Sequence, residues 1–245
     1  MDSVLSLIEL SHKPAFIVGA LSFYLFVSKG LVASIRDGLG IAKTSGPLKA
    51  FVLVHNIALA VFSLVVFLKA TPLVLNEYSS RGWQSLHCRN AFWDDGFRFW
   101  ANIFYLSKFY EFVDTWILVL KSKTPSFLQL YHHTGIAIAM YLGCKSEANW
   151  IIWPTVLNSF IHTLMYTYFT AATLGYRSPL AKILTTAQIT QFVIGIAMSC
   201  TCYFHEGCIN GDQLFSLAFT QVYCVGLIYL FYGLFKEKYK KSKDS

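Results

Sequence analysis

Charge is what this sequence has least of. Of its 245 residues only 13% are Asp, Glu, Lys or Arg, about half the share of an ordinary soluble domain. So little charge against 55% hydrophobic residues excludes a solvated, disordered chain, and repeated long apolar runs indicate a polytopic membrane protein. Other absences narrow the chemistry. No GxGxxG stretch occurs, so nothing points to a nicotinamide site. The six cysteines lack zinc spacing, since Cys200-Thr-Cys202 is too close-set and too apolar in its surroundings for a four-ligand cluster. No Asn-x-Ser/Thr sequon is present, which leaves sidedness to be read from charge. The net charge of +7 lies in short loops and near the C-terminus. That distribution marks membrane orientation and not a nucleic-acid-binding face.

What is present is an all-α pattern. Seven spans are expected over 14–35, 48–68, 98–120, 126–143, 149–173, 180–203 and 213–235, making residues 1–245 a single polytopic membrane domain. Asp2 and Glu9 precede the first apolar run, which has no small-residue cleavage site and reads as a retained span. Pro14, Pro47, Pro125 and Pro179 stand where helices should begin, Pro72 should close the second span, and Pro154 should kink the fifth near Asn158. Arg36, Lys43, Lys49, Lys121, Lys123, Arg177, Lys182 and the basic tail at 236–245 fall on one side, giving twelve basic residues against five on the other. The bias predicts a lumenal N-terminus and a cytosolic C-terminus. Cys88 and Cys208 then both face the lumen, where a disulfide is permitted and expected, two free thiols being the alternative.

Polar side chains interrupt these apolar runs at helical spacing. Lys108, Glu111 and Thr115 form a stripe with Asp114 on its edge, and Gln129, His132 and His133 follow at i, i+3, i+4. Asn158, His162 and Tyr166 are spaced by four, and Thr185, Gln188 and Gln191 by three. At about 1.5 Å of rise per residue, Asp114 and His132 each lie about 10 Å from the cytosolic surface, with His162, Gln188 and Gln191 about 12–16 Å in. Groups this costly to bury, converging at one depth, mark a site and not merely interhelical glue. His12, His87 and His205 fall in loops and are expected to be solvated. His55 is expected to be a hydrogen-bonded helix residue outside the site.

At these residues the chain resembles the very-long-chain fatty acid elongase (ELO) family of endoplasmic reticulum membrane enzymes. The family's KxxExxDT appears as Lys108, Glu111, Asp114 and Thr115, and its HxxHH box as Gln129, His132 and His133, with glutamine for the first histidine. NxxxHxxMYxY appears as Asn158, His162, Met165, Tyr166 and Tyr168, and TxxQxxQ as Thr185, Gln188 and Gln191. The glutamine variant resembles a branch of microbial and algal elongases acting on polyunsaturated acyl chains. Lys241 and Lys243 match a KxKxx retrieval signal of endoplasmic reticulum membrane proteins, the alternative being a plain basic tail attracted to anionic lipid.

The resemblance implies decarboxylative condensation of malonyl-CoA with a long-chain acyl-CoA, giving 3-ketoacyl-CoA, CO2 and CoA. It implies no cofactor, and it leaves the later reductase and dehydratase steps to partner enzymes. A homodimer is left open. His132 is the expected nucleophile, because no cysteine accompanies the motifs and a neutral imidazole can accept an acyl group, with His162 as its partner. His133, Asn158 or Gln188 would stabilise the enolate oxygen. Glu111 and Asp114 would set histidine tautomers, Lys108 would balance their charge, and Tyr166 would donate a further hydrogen bond. Direct condensation with histidine as base is the alternative. A di-iron centre of the desaturase kind is disfavoured, since glutamine at 129 replaces histidine poorly. CoA would enter from the cytosol near Lys121, Lys123, Arg177 and Lys182. The acyl chain would occupy a tunnel between the helices, rich in phenylalanine and leucine. A seven-span receptor or transporter using the same polar cluster is the rival class.

Overall fold

The computed structural model describes residues 2–43, 45–88, 93–176, 179–205 and 207–239, without the side chain of Lys29. Among them helices are the only regular structure. Helix α1 (Asp2–Ser11) turns by 83° into α2 (Pro14–Phe26), where Pro14 takes the first helical position, at which its missing N–H costs nothing. A wide turn over Val27–Leu31 carries α2 into α3 (Val32–Gly38). The 36-residue α4 (Gly46–Arg81) starts at Ser45, whose hydroxyl accepts the Leu48 N–H. It runs through Pro72, which therefore does not close the span. Close packing of α4 along α9 outweighs the lost backbone hydrogen bond, a cost of about 3 kcal/mol.

A short α5 (Ser85–Cys88) precedes α6 (Arg98–Tyr110) and α7 (Phe112–Leu120), which meet at Glu111. There the backbone tightens, with Asp114 N–H bonding back to Glu111 C=O three residues earlier. Helix α8 (Phe127–Lys145) is capped by the Ser126 hydroxyl on Gln129 N–H. The next segment climbs through a tight turn at Asn149–Ile151 and a wide one at Pro154–Asn158 into α9 (Ser159–Thr173). Pro154 opens that wide turn, which ends at Asn158. Helices α10 (Ala181–Cys200) and α11 (Gly211–Tyr239) follow.

Among the described residues, three helical segments can cross a membrane by length and composition: Gly46–Arg81, Ala181–Phe204 and Gly211–Tyr239. A fourth is added if the bent α1–α2 pair counts as one span. Their outward faces are apolar, with Val54, Leu68, Ile183 and Val222 all more than half exposed; water would not reward such a surface, whereas lipid does. The inner core gathers Tyr24, Trp93, Phe97, Phe104, Phe112 and Met140 between α2, α6 and α8. Outside the helical bundle, Cys88 and Cys208 are joined by a disulfide that ties α5 to the loop before α11. His87, beside it, is buried against Trp83 and Trp153, with its ring nitrogens at Thr201 Oγ1 (2.9 Å) and Cys202 Sγ (3.4 Å). That corrects the expectation of a solvated loop histidine. Burial pushes its pKa down to about 4, with a smaller push from His205.

Candidate active site

The stripe on α6 and α7 buries completely. Lys108 has no solvent exposure and directs Nζ to Glu111 Oε1 at 2.7 Å and Asn158 Oδ1 at 3.2 Å, with the Phe104 ring centroid at 3.8 Å. An ammonium in an apolar bundle needs such partners, because desolvation otherwise outweighs anything it gains. The same Glu111 oxygen accepts from Ser107 Oγ at 3.3 Å. His162 Nδ1 lies 3.5 Å from it, without the alignment of a hydrogen bond. Asn158 also donates to Gln191 Oε1 at 3.5 Å, so four helical segments meet around one lysine.

Asp114, one helical step away, serves a separate network. Its Oδ1 is 2.9 Å from His55 Nε2, and its Oδ2 accepts from Tyr166 at 2.6 Å. His55 also meets the Tyr110 hydroxyl at 3.3 Å. His55 is thus the hydrogen-bonded helix residue the sequence predicts, and its partner is a residue of the candidate site. Its position on α4 gave no motif; packing of Leu48 and Val52 on α4 against Ile117 on α7 sets it beside Asp114.

The histidine pair divides its two members. Gln129 Nε2 lies 2.7 Å from His133 Nε2 and 3.3 Å from Thr115 Oγ1, which in turn is 2.9 Å from the Tyr24 hydroxyl. His133 is buried, and its Nδ1 has no hydrogen-bond partner. His132 stacks on His133 with centroids 5.5 Å apart. It faces α11 instead, where the Tyr223 hydroxyl sits 3.3 Å from its Nδ1. Tyr24 and Tyr223 escaped the sequence reading because an isolated tyrosine in an apolar run looks like core. Gln188 donates its amide to Met165 Sδ at 3.3 Å.

A cavity opens from this cluster between α8, α10 and α11. His132, Asn158 and Gln191 line it at the polar cluster, and Trp150, Leu217 and Ser199 line it too. Its wall is apolar but not dominated by the expected residue types. Phe192, Leu157 and Leu217 contribute, alongside Ile136, Met140 and Trp153. Lys121 and Lys123 lie in the turn between α7 and α8, with Ser122 between them in the left-handed region at φ 57°. Partial burial, then the neighbouring Lys123 charge, lowers the Lys121 pKa. Lys182 is exposed with Nζ 5.8 Å from the Phe235 ring. Arg177, Lys241 and Lys243 lie outside the described residues.

Comparison with known proteins agrees with the motifs. The GNS1/SUR4 family (ELO) matches residues 9–245. The chain is similar to fatty acid elongase sre1 of Dictyostelium discoideum, 37% identical over 180 residues, which cover 71% of this chain and 65% of that protein. It is similar also to fatty acid elongase 1 of Trypanosoma brucei brucei, 35% identical over 171 residues, covering 66% of this chain and 54% of the relative. Fatty acid elongase 2 of the same organism is 29% identical over 227 residues, covering 87% and 83%. The chain thus spans about two thirds and about half the length of the first two relatives.

Proposed function

The chain belongs to the GNS1/SUR4 (ELO) family, and on that premise we propose that it is the condensing enzyme of fatty acid elongation, a 3-ketoacyl-CoA synthase. Its reaction joins a long-chain acyl-CoA to malonyl-CoA. The acyl C–S bond breaks, a bond forms from the acyl carbonyl carbon to malonyl C2, and the malonyl carboxylate leaves as CO2. The released CoA thiolate takes a proton from the medium. We further propose seven spans in the endoplasmic reticulum membrane, with the N-terminus lumenal and the C-terminus cytosolic, and the reductase and dehydratase of the cycle as partners.

One observation carries the reading: His132 stands where a buried polar cluster meets an apolar cavity, and lines that cavity. A neutral imidazole so placed can attack a thioester whose acyl chain fills the cavity, giving an acyl-imidazolium and a free thiolate. Malonyl-CoA then loses CO2, and its enolate carbon attacks the acyl carbonyl carbon, returning His132 to its neutral form. His133 Nδ1 and the Asn158 amide are the groups suited to hold the enolate oxygen, in a site where a hydrogen bond acts in low dielectric. The Lys108–Glu111 pair holds Asn158 in place and leaves His162 within reach of Glu111 for proton handling. Lys121, Lys123, Arg177 and Lys182 offer cationic contacts for CoA phosphates. The glutamine at 129 supports a polyunsaturated acyl preference by resemblance.

Microsomes or proteoliposomes containing the protein are given radiolabelled malonyl-CoA with acyl-CoAs of varied length and unsaturation. Wild type is expected to form labelled 3-ketoacyl-CoA and His132→Ala none. Equal incorporation by both, or none with any acyl-CoA, would reject the reaction. Incubation with acyl-CoA alone should leave an acyl adduct on His132; turnover without one supports direct condensation.

A further inference from the structure

The geometry points to Tyr223 as the positioning residue that fixes the tautomer of His132, placing the ring proton on Nδ1 and leaving the Nε2 lone pair free. Three observations on α8 and α11 carry it.

The first is a proton count. The Tyr223 hydroxyl lies 3.0 Å from the His132 backbone carbonyl and 3.3 Å from His132 Nδ1. A carbonyl oxygen only accepts, so the single hydroxyl proton is committed to it. The remaining role of the phenol oxygen toward the ring is as acceptor, which requires a proton on Nδ1. In a neutral imidazole Nε2 then carries the lone pair.

The second is that the packing is built around this ring. A side chain at Gly135, one turn after His132 on α8, would overlap the Tyr223 ring. Glycine is what lets the phenol slot against α8 at hydroxyl distance from residue 132. Reciprocally, a side chain at Gly226 on α11 would overlap the Tyr131 hydroxyl, which donates to the Tyr223 carbonyl at 3.3 Å. The two helices thus exchange tyrosines through paired glycine gaps, and the Tyr131 and Tyr223 rings lie 5.4 Å apart.

The third is location. Tyr223 is buried, yet both it and His132 line the apolar cavity. The role in catalysis rests on the acyl-transfer reading above. Attack needs a lone pair, and Nε2 supplies it only in this tautomer. As the Nε2–C bond forms and the C–S bond breaks, the ring becomes cationic. Its Nδ1–H bond to Tyr223 strengthens at that moment, while the thiolate carries away the matching negative charge.

The test is nitrogen-15 solid-state NMR of histidine-labelled protein in bilayers, with His132 assigned by difference against His132→Asn. Wild type is expected to show a neutral ring protonated at Nδ1. Tyr223→Phe keeps the ring in its slot and removes only the hydroxyl. It should lose that single tautomer and lower kcat on the order of 10–100-fold, the scale of removing a group that orients a reactive imidazole, with KM for acyl-CoA little changed. Gly135→Ala, which keeps the hydroxyl but displaces the ring, should do the same. A wild-type His132 protonated at Nε2, or Tyr223→Phe with tautomer and kcat intact, would overturn the assignment. The NMR readout needs no turnover: an inactive wild type with the Nδ1–H signature would defeat the proposed reaction while upholding the tautomer.

Discussion

Replacing Lys108 with methionine tests whether the buried ion pair is organised as the site geometry implies. The substitution keeps the length of the stem and removes the ammonium. Glu111 loses its shortest contact, at 2.7 Å, and retains Ser107 Oγ at 3.3 Å with His162 Nδ1 at 3.5 Å. Asn158 Oδ1 loses its donor at 3.2 Å. Both charges are within 3% of full burial, so no water is at hand to compensate. Breaking such a pair from one side costs about 3–5 kcal/mol, because the partner is left as an uncompensated buried charge. At about 2–4 °C per kcal/mol for a chain of this size, Tm should fall by roughly 6–20 °C. The double variant Lys108→Met/Glu111→Gln removes both charges and should recover most of that loss, since replacing a whole buried pair is close to neutral. Thermal unfolding of the four proteins in one detergent, followed by fluorescence, provides the cycle. A double variant as unstable as the sum of the singles would refute the argument, and so would a harmless Lys108→Met.

Three further outcomes are expected. His55→Ala and Asp114→Asn should destabilise non-additively, with a coupling of about 0.5–3 kcal/mol in a double-mutant cycle, because the two groups are in contact at 2.9 Å; strict additivity would mean that His55 is not part of the network. Cys88→Ser should lower stability by as much as about 5 kcal/mol on the chain-entropy account of a loop of 120 residues, and non-reducing electrophoresis of wild type should show the bridge directly. Stability should also fall between about pH 6.5 and pH 4. His87 is held near 4 in the folded chain against about 6.5 unfolded, so the unfolded state binds the proton first, and the stabilisation present above 6.5 is lost on acidification. Unfolding measured across that range should show a shallower pH dependence in His87→Gln.

The sequence was most informative where a costly residue stood in an apolar run. Lys108, Glu111, His133 and His162 could be singled out because burial of such groups is penalised, and the helical period told which of them shared a face. Their convergence was legible for the same reason, and Lys108, Asn158 and Gln191 do meet. Helix starts near Pro14, Pro47 and Pro125 were legible too, since proline's fit at the beginning of a helix is local. Pro72 misled: local propensity argued for an end, and contact with α9 overrode it.

By itself, then, the sequence determined an all-helical apolar chain, four polar motifs at helical spacing and the family to which they belong. The first two follow from local rules of period and hydropathy, and the family from the resemblance the motifs carry. Only the tertiary structure decided which partner each polar atom takes. It gave Asp114 to His55, turned Gln188 toward Met165, and set Tyr24 and Tyr223 behind the two adjacent histidines. Those pairings join residues 23 to 91 positions apart, through side chains that read as ordinary core. Hydrogen-bond partners in a bundle are set by how helices rotate and approach, down to a glycine that leaves room for a ring, and no periodicity along the chain encodes that.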